Sequence, residues 1–138
     1  MKWYFASRKK HKQIIGKLIR ILKENGQDTV FDWTELDDIK PYSNNQKIAS
    51  EISNKISLAL LNTEIFVLIS DKEGTDMFVE LGIAIANWLK NKRIRIYIVG
   101  EWNKRSLMHL HPAVIHVNSL KEIFYNECHE IIKELDFI

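Results

Sequence analysis

Cysteine is nearly absent from this 138-residue chain. Cys128 stands alone, so no disulfide forms within the chain and no cysteine-based zinc site can be assembled. Proline occurs twice and glycine five times, which leaves few sites for sharp turns and predicts abundant regular structure. Both common glycine-rich nucleotide signatures are missing. Without GxGxxG a nicotinamide-dependent dehydrogenase is disfavoured, and without GxxxxGK[ST] so is a P-loop nucleotidase. Long apolar runs are lacking too. Ile65–Ile69 has the length of a strand, and Met77–Leu89 is interrupted by Glu80 and falls short of the ~20 residues a spanning helix needs. The apolar N-terminal stretch is too short for a signal sequence, so a cytoplasmic chain with no membrane partner is expected. Nor does one sign of charge dominate. Twenty basic residues against 18 acidic ones leave +2, which argues against a nucleic-acid coat or a polybasic membrane anchor.

What is present suits one packed domain spanning 1–138. The chain is 46% hydrophobic and 28% charged, enough for a core and too apolar for disorder. The near-zero net charge conceals an asymmetry: eight of the 20 basic residues precede the first acid, Glu24.

The hydrophobic pattern alternates between strand and helix. Trp3–Ala6 reads as a buried first strand, and Ile14, Ile15, Leu18, Ile19 and Leu22 then recur at helical spacing before the stop signal Asn25-Gly26. Thr29–Trp33 reads as a second strand, and the polar segment Glu35–Asn45 as a loop. A helix follows over Gln46–Asn62. Glu64–Ile69 is a continuous apolar run, as expected of a strand covered on both faces. Met77–Asn91 is helical and apolar nearly all round. Arg93–Val99 and Ala113–Val117 are the fourth and fifth strands, and Leu120–Leu135 is a closing helix. This order predicts a three-layer α/β/α fold of flavodoxin or Rossmann type, with a mostly parallel five-stranded sheet. Such folds bind ligands beyond the carboxyl ends of their strands, near the topological switch point.

The segments that follow the strands therefore carry the candidate chemistry. Ser7-Arg8-Lys9-Lys10 follows the first, Asp32-Trp33-Thr34 the second, and Ser70-Asp71 through Gly74-Thr75-Asp76 the third. Acids converging beside an anion-friendly loop suit glycosidic or phosphate chemistry better than redox chemistry. Glu80 is the most discordant residue, because a carboxylate among Met77, Phe78, Val79, Leu81 and Ile83 is costly to bury without a partner. It reads either as a nucleophile facing a small cavity or as a glutamate that reaches the surface. Gly74-Thr75-Asp76 offers a turn and an N-cap residue, and alone it is commonplace. His109, His111 and His116 cluster in sequence, but no third ligand at clear spacing supports a metal site, and Cys128 reads as a packing residue.

Together, Tyr4-Phe5-Ala6-Ser7, Phe31-Asp32-Trp33-Thr34 and Gly74-Thr75-Asp76-Met77-Phe78-Val79-Glu80-Leu81-Gly82-Ile83-Ala84 resemble the nucleoside 2-deoxyribosyltransferase family, which includes nucleoside 5′-monophosphate N-glycosidases. The resemblance runs from the first strand through the Glu80 helix and weakens beyond about residue 100. It implies that Glu80 attacks the anomeric carbon of a (deoxy)ribose, expels the base and forms a glycosyl-enzyme intermediate, without any cofactor. It makes Asp71 or Asp76 the acid that assists the leaving base. Asp32 and Trp33 would contact base or sugar, although a tryptophan there equally suits a core. Gly74 and Thr75 would line the substrate, and Ser7 and Arg8 would hold a 5′-phosphate at a helix N-terminus. Partners would be a nucleoside or nucleotide and further copies of the chain, as a homodimer or larger assembly. Alternatives are a TIR-like NAD glycohydrolase and a non-catalytic nucleotide-binding module.

Overall fold

The computed structural model describes residues 1–138. Strands β1 (Lys2–Ala6), β2 (Asp28–Thr29), β3 (Ile65–Ile69), β4 (Arg95–Val99) and β5 (Val114–Val117) form one sheet in the order β2-β1-β3-β4-β5. Every neighbouring pair is parallel. The expected mostly parallel sheet is thus wholly parallel. Helices α1 (Lys12–Glu24), α2 (Gln46–Leu61), α3 (Asp76–Asn91) and α4 (Leu120–Glu127) cover it.

Alternation along the strands sorts the core into two layers. Trp3, Phe5, Ile65, Val67, Tyr97 and Val99 point to one face, where Ile15, Leu18, Ile19 and Leu22 of α1 and Ile123 and Phe124 of α4 meet them. Tyr4, Ala6, Phe66, Leu68, Ile96 and Ile98 point to the other, against Leu60 of α2 and Met77, Leu81, Ala84 and Ile85 of α3. All six of those strand residues are fully buried, which explains why β1 and β3 read as unbroken apolar runs. The chain leaves β1 for α1 on one face and β3 for α3 on the other, so a crevice opens between the carboxyl ends of these adjacent strands.

Two elements depart from the sequence expectation. The second strand stops at Thr29, not Trp33, because Asp32 caps a 3₁₀ turn over Trp33–Glu35: its carboxylate accepts from the Thr34 amide at 2.9 Å and from the Thr34 hydroxyl. The closing helix stops at Glu127. Cys128 takes an extended φ of −154°, and His129–Glu134 continues as a 3₁₀ turn that buries Ile131. Cys128 itself is buried in the α1–α4 core layer. No helix is long and apolar enough to cross a membrane.

Candidate active site

The crevice widens into a groove of about 1120 Å³, walled by the start of α1, the segment between β2 and α2, the first two turns of α2, and the β3–α3 turn. Glu80 lies at its inner end. The helix carrying Glu80 begins at Asp76, so the glutamate sits one turn in, and the even-numbered face of β1 places Tyr4 against it. Burial pushes the Glu80 carboxyl up to about 8. The Tyr4 hydroxyl opposes that rise and the nearby charge of Asp76 adds to it. Tyr4 is itself raised far above its usual range, by burial first and the Glu80 charge second. The hydroxyl meets no partner at hydrogen-bond geometry. The two groups are thus close enough for each to shift the other's titration without a formed hydrogen bond.

Asp76, not Asp71, is the acid whose charge reaches Glu80. It opens onto the groove and accepts a hydrogen bond from the Tyr42 hydroxyl at 3.3 Å. Asp71 points elsewhere. Its carboxylate pairs with Lys10, accepts the Glu73 amide at 2.9 Å and lies 3.5 Å from Arg8. Lys10 and then the Glu73 amide hold its pKa down to about 2. The side chain is sealed from water by these few partners, not by a thick layer of protein, so the charge remains well stabilised. Of the two expected acids, Asp76 lines the groove with Glu80, whereas Asp71 is engaged by Lys10 and Arg8 at the α1 entry.

The other expected residues divide similarly. Ser7, Arg8, Trp33, Gly74 and Thr75 line the groove, whereas Asp32 does not and serves the 3₁₀ turn described above. Trp33 packs against the core and also borders the groove. Its indole N–H donates to the Phe5 carbonyl at 2.7 Å, which anchors the ring while one side borders the groove. Ser7 donates to the Arg8 carbonyl at 2.8 Å. Arg8 forms an ion pair with Glu73 at 2.9 Å. Thr75 is the N-cap position of α3 and makes no side-chain capping bond, leaving its hydroxyl to the groove. His109 and His111 turn to separate partners, Ser106 and the Ala113 amide, and no group of three metal-ligating side chains occurs.

Gly74 is where the turn depends on glycine. Its φ is +124°, and a Cβ there would collide with the buried Met77 side chain. Gly74→Ala is expected to destabilise the fold by about 1–3 kcal/mol, read as a lower urea midpoint with unchanged slope. A midpoint equal to that of the parent protein would show that the turn does not require glycine.

Several groove residues carry no motif. Tyr42, Gln46, Ser50 and Ser53 lie in or beside a polar segment that reads only as loop and helix, and Tyr4, buried behind the groove, hides in a hydrophobic strand. Strand alternation alone marks Tyr4, as the polar atom directed at the α3 face.

The fold is shared with a CMP N-glycosidase from Clostridium botulinum, BcmB. The two chains superpose over the full length of both, with a TM-score of 0.58 and 17% sequence identity. No protein-family model matches the chain, and no curated protein sequence does. At this identity the likeness establishes a common fold of three α/β/α layers.

Proposed function

We propose that the chain cleaves the N-glycosidic bond of a nucleoside 5′-monophosphate or a (deoxy)nucleoside, with Glu80 as nucleophile. The observation that carries this reading is a half-buried glutamate with a raised pKa at the inner end of a nucleotide-sized groove. The Clostridium botulinum neighbour is a CMP N-glycosidase, and its activity agrees with this reading at the level of fold.

The groups divide the work as follows. The ionised Glu80 carboxylate attacks C1′ while the bond from C1′ to the base nitrogen breaks and its electron pair leaves with the base. The Asp76 carboxylate, held in place by the Tyr42 hydroxyl, steadies a water that hands a proton to the departing base. The resulting ester between Glu80 and C1′ is then opened by attack of water at C1′, which gives up a proton to solvent, regenerates the Glu80 carboxylate and inverts the centre a second time. A second base in place of water gives transfer. Tyr4 donates to the Glu80 carboxylate when it reforms. Trp33 offers a ring edge to the base or sugar, and Arg8 pairs with the phosphate at the α1 entry.

The test incubates purified protein with nucleosides, nucleoside monophosphates and NAD, and measures free base by chromatography. Release from nucleosides or their monophosphates is expected. Binding without release would assign a sensing module, and nicotinamide release alone a NAD glycohydrolase.

Self-association belongs to the same proposal. Val79 on α3 is 65% exposed and Leu107 is 85% exposed, and contact between copies would cover such side chains. Light scattering is expected to give at least twice the 16.3 kDa chain mass. A monomer at micromolar concentration would remove this part of the reading.

A further inference from the structure

In the free protein the guanidinium that would receive a phosphate is already occupied. Glu73 lies 2.9 Å from Arg8, and both side chains border the groove. The two carboxylates near Arg8 differ in kind. Asp71 is 3% exposed, is committed to Lys10 and the Glu73 amide, and lies at 3.5 Å from Arg8. Glu73 is 61% exposed, and its carboxylate has no partner except Arg8. A solvated pair of this kind is weak and readily exchanged, whereas a multiply bonded, sealed carboxylate is not. Asp71 also holds the backbone of the turn at the Glu73 amide, so it aims the Glu73 side chain at Arg8. Lys10 is kept by Asp71, Lys9 pairs with Asp38 and Lys12 donates to the Leu36 carbonyl, so Arg8 is the guanidinium at the α1 entry that an exposed carboxylate holds.

We propose that Glu73 is a specificity-determining residue that competes with the substrate phosphate for Arg8 and is displaced into solvent when a phosphorylated ligand enters. This rests on the reading of Arg8 as the phosphate-binding group. The exchange is one anion for another on a single cation, so a phosphate dianion that bridges several donors wins over the carboxylate, while a weak or singly charged anion does not. The site thereby discriminates by the ligand's charge and by its number of acceptor oxygens. An unphosphorylated nucleoside leaves the Arg8–Glu73 pair intact.

A double-mutant cycle tests the competition by direct binding, without turnover. Ribose 5-phosphate, with ribose as the uncharged comparison, is titrated calorimetrically into the parent protein, Glu73→Gln, Arg8→Ala and the double variant. Glu73→Gln is expected to tighten ribose 5-phosphate about five-fold and to leave ribose unchanged, and the gain is expected to vanish in the Arg8→Ala background. An equal gain with and without Arg8 would overturn the competition, since the carboxylate would then act only through the long-range field. Unchanged or weaker phosphate binding in Glu73→Gln would overturn it as well. If Arg8→Ala by itself leaves ribose 5-phosphate affinity intact, the phosphate reading of Arg8 fails with it. Glu73→Ala repeats the cycle should the glutamine variant fold poorly, and thermal melts of each protein identify that case.

Discussion

Glu80→Gln is expected to lower the rate of base release by about 10³-fold or more, with substrate binding largely kept. The amide has nearly the shape of the carboxyl but cannot form a stable ester with C1′, so the double displacement loses its first step. On the proposed mechanism the parent protein should also show an ascending limb in kcat/KM. Burial raises the Glu80 carboxyl to about 8, so the free protein holds it largely protonated at neutral pH, and only the ionised fraction attacks. The apparent pKa of that limb is expected near 8. In Asp76→Asn it should move to lower pH, because the Asp76 charge contributes to the rise. Retention of full activity by Glu80→Gln would exclude it as nucleophile. A pH profile that is flat from about 6 to 9 would exclude its titration from the rate.

The second large effect concerns stability. An acid whose pKa rises on folding holds its proton more tightly in the native state than in the unfolded chain. Its contribution is therefore fully present below the unfolded value, 4.5, and is lost as pH climbs through the folded value of about 8. At about 1.4 kcal/mol per pKa unit, the loss is on the order of 4 kcal/mol between about pH 4.5 and 9. Glutamine at this position never ionises. Subtracting the urea stability of the parent from that of Glu80→Gln across this range cancels the titrations that both proteins share. The difference should be within about 1 kcal/mol at about pH 5 and grow to several kcal/mol in favour of the variant at about pH 9. A difference independent of pH would mean that Glu80 ionises in the native protein as readily as in the unfolded chain. A gain in stability beside a loss of activity is the pattern of a side chain kept for chemistry against its folding cost.

The legible and illegible features of the site separate along a physical line. Glu80 stands out because one ionisable group interrupts an apolar helix, and that discordance is a property of neighbours within one turn. The turn at Gly74 and the α1 entry are legible for the same local reason. Asp71 is not. Its partners, Lys10 and Arg8, lie some 60 residues earlier, and only the parallel pairing of β1 with β3 brings the two strand ends together. Asp32 and Trp33 mix the two cases: the strand pattern continues through them, but a side-chain cap on Thr34 outcompetes the ladder and turns the chain. Tyr42 reaches Asp76 from a segment without any periodicity, where no pattern announces a contact.

By itself, the sequence determined the layered architecture, the run of helices and strands, and the exceptional carboxylate in α3, because periodicity and burial cost are written in residues close along the chain. Tertiary structure alone decided which acid stands beside Glu80, that Tyr4 faces it, and that Glu73 holds Arg8. Those pairings depend on which strand ends lie side by side and which face each alternate residue takes, and a charge has no preferred partner until the fold brings one within reach.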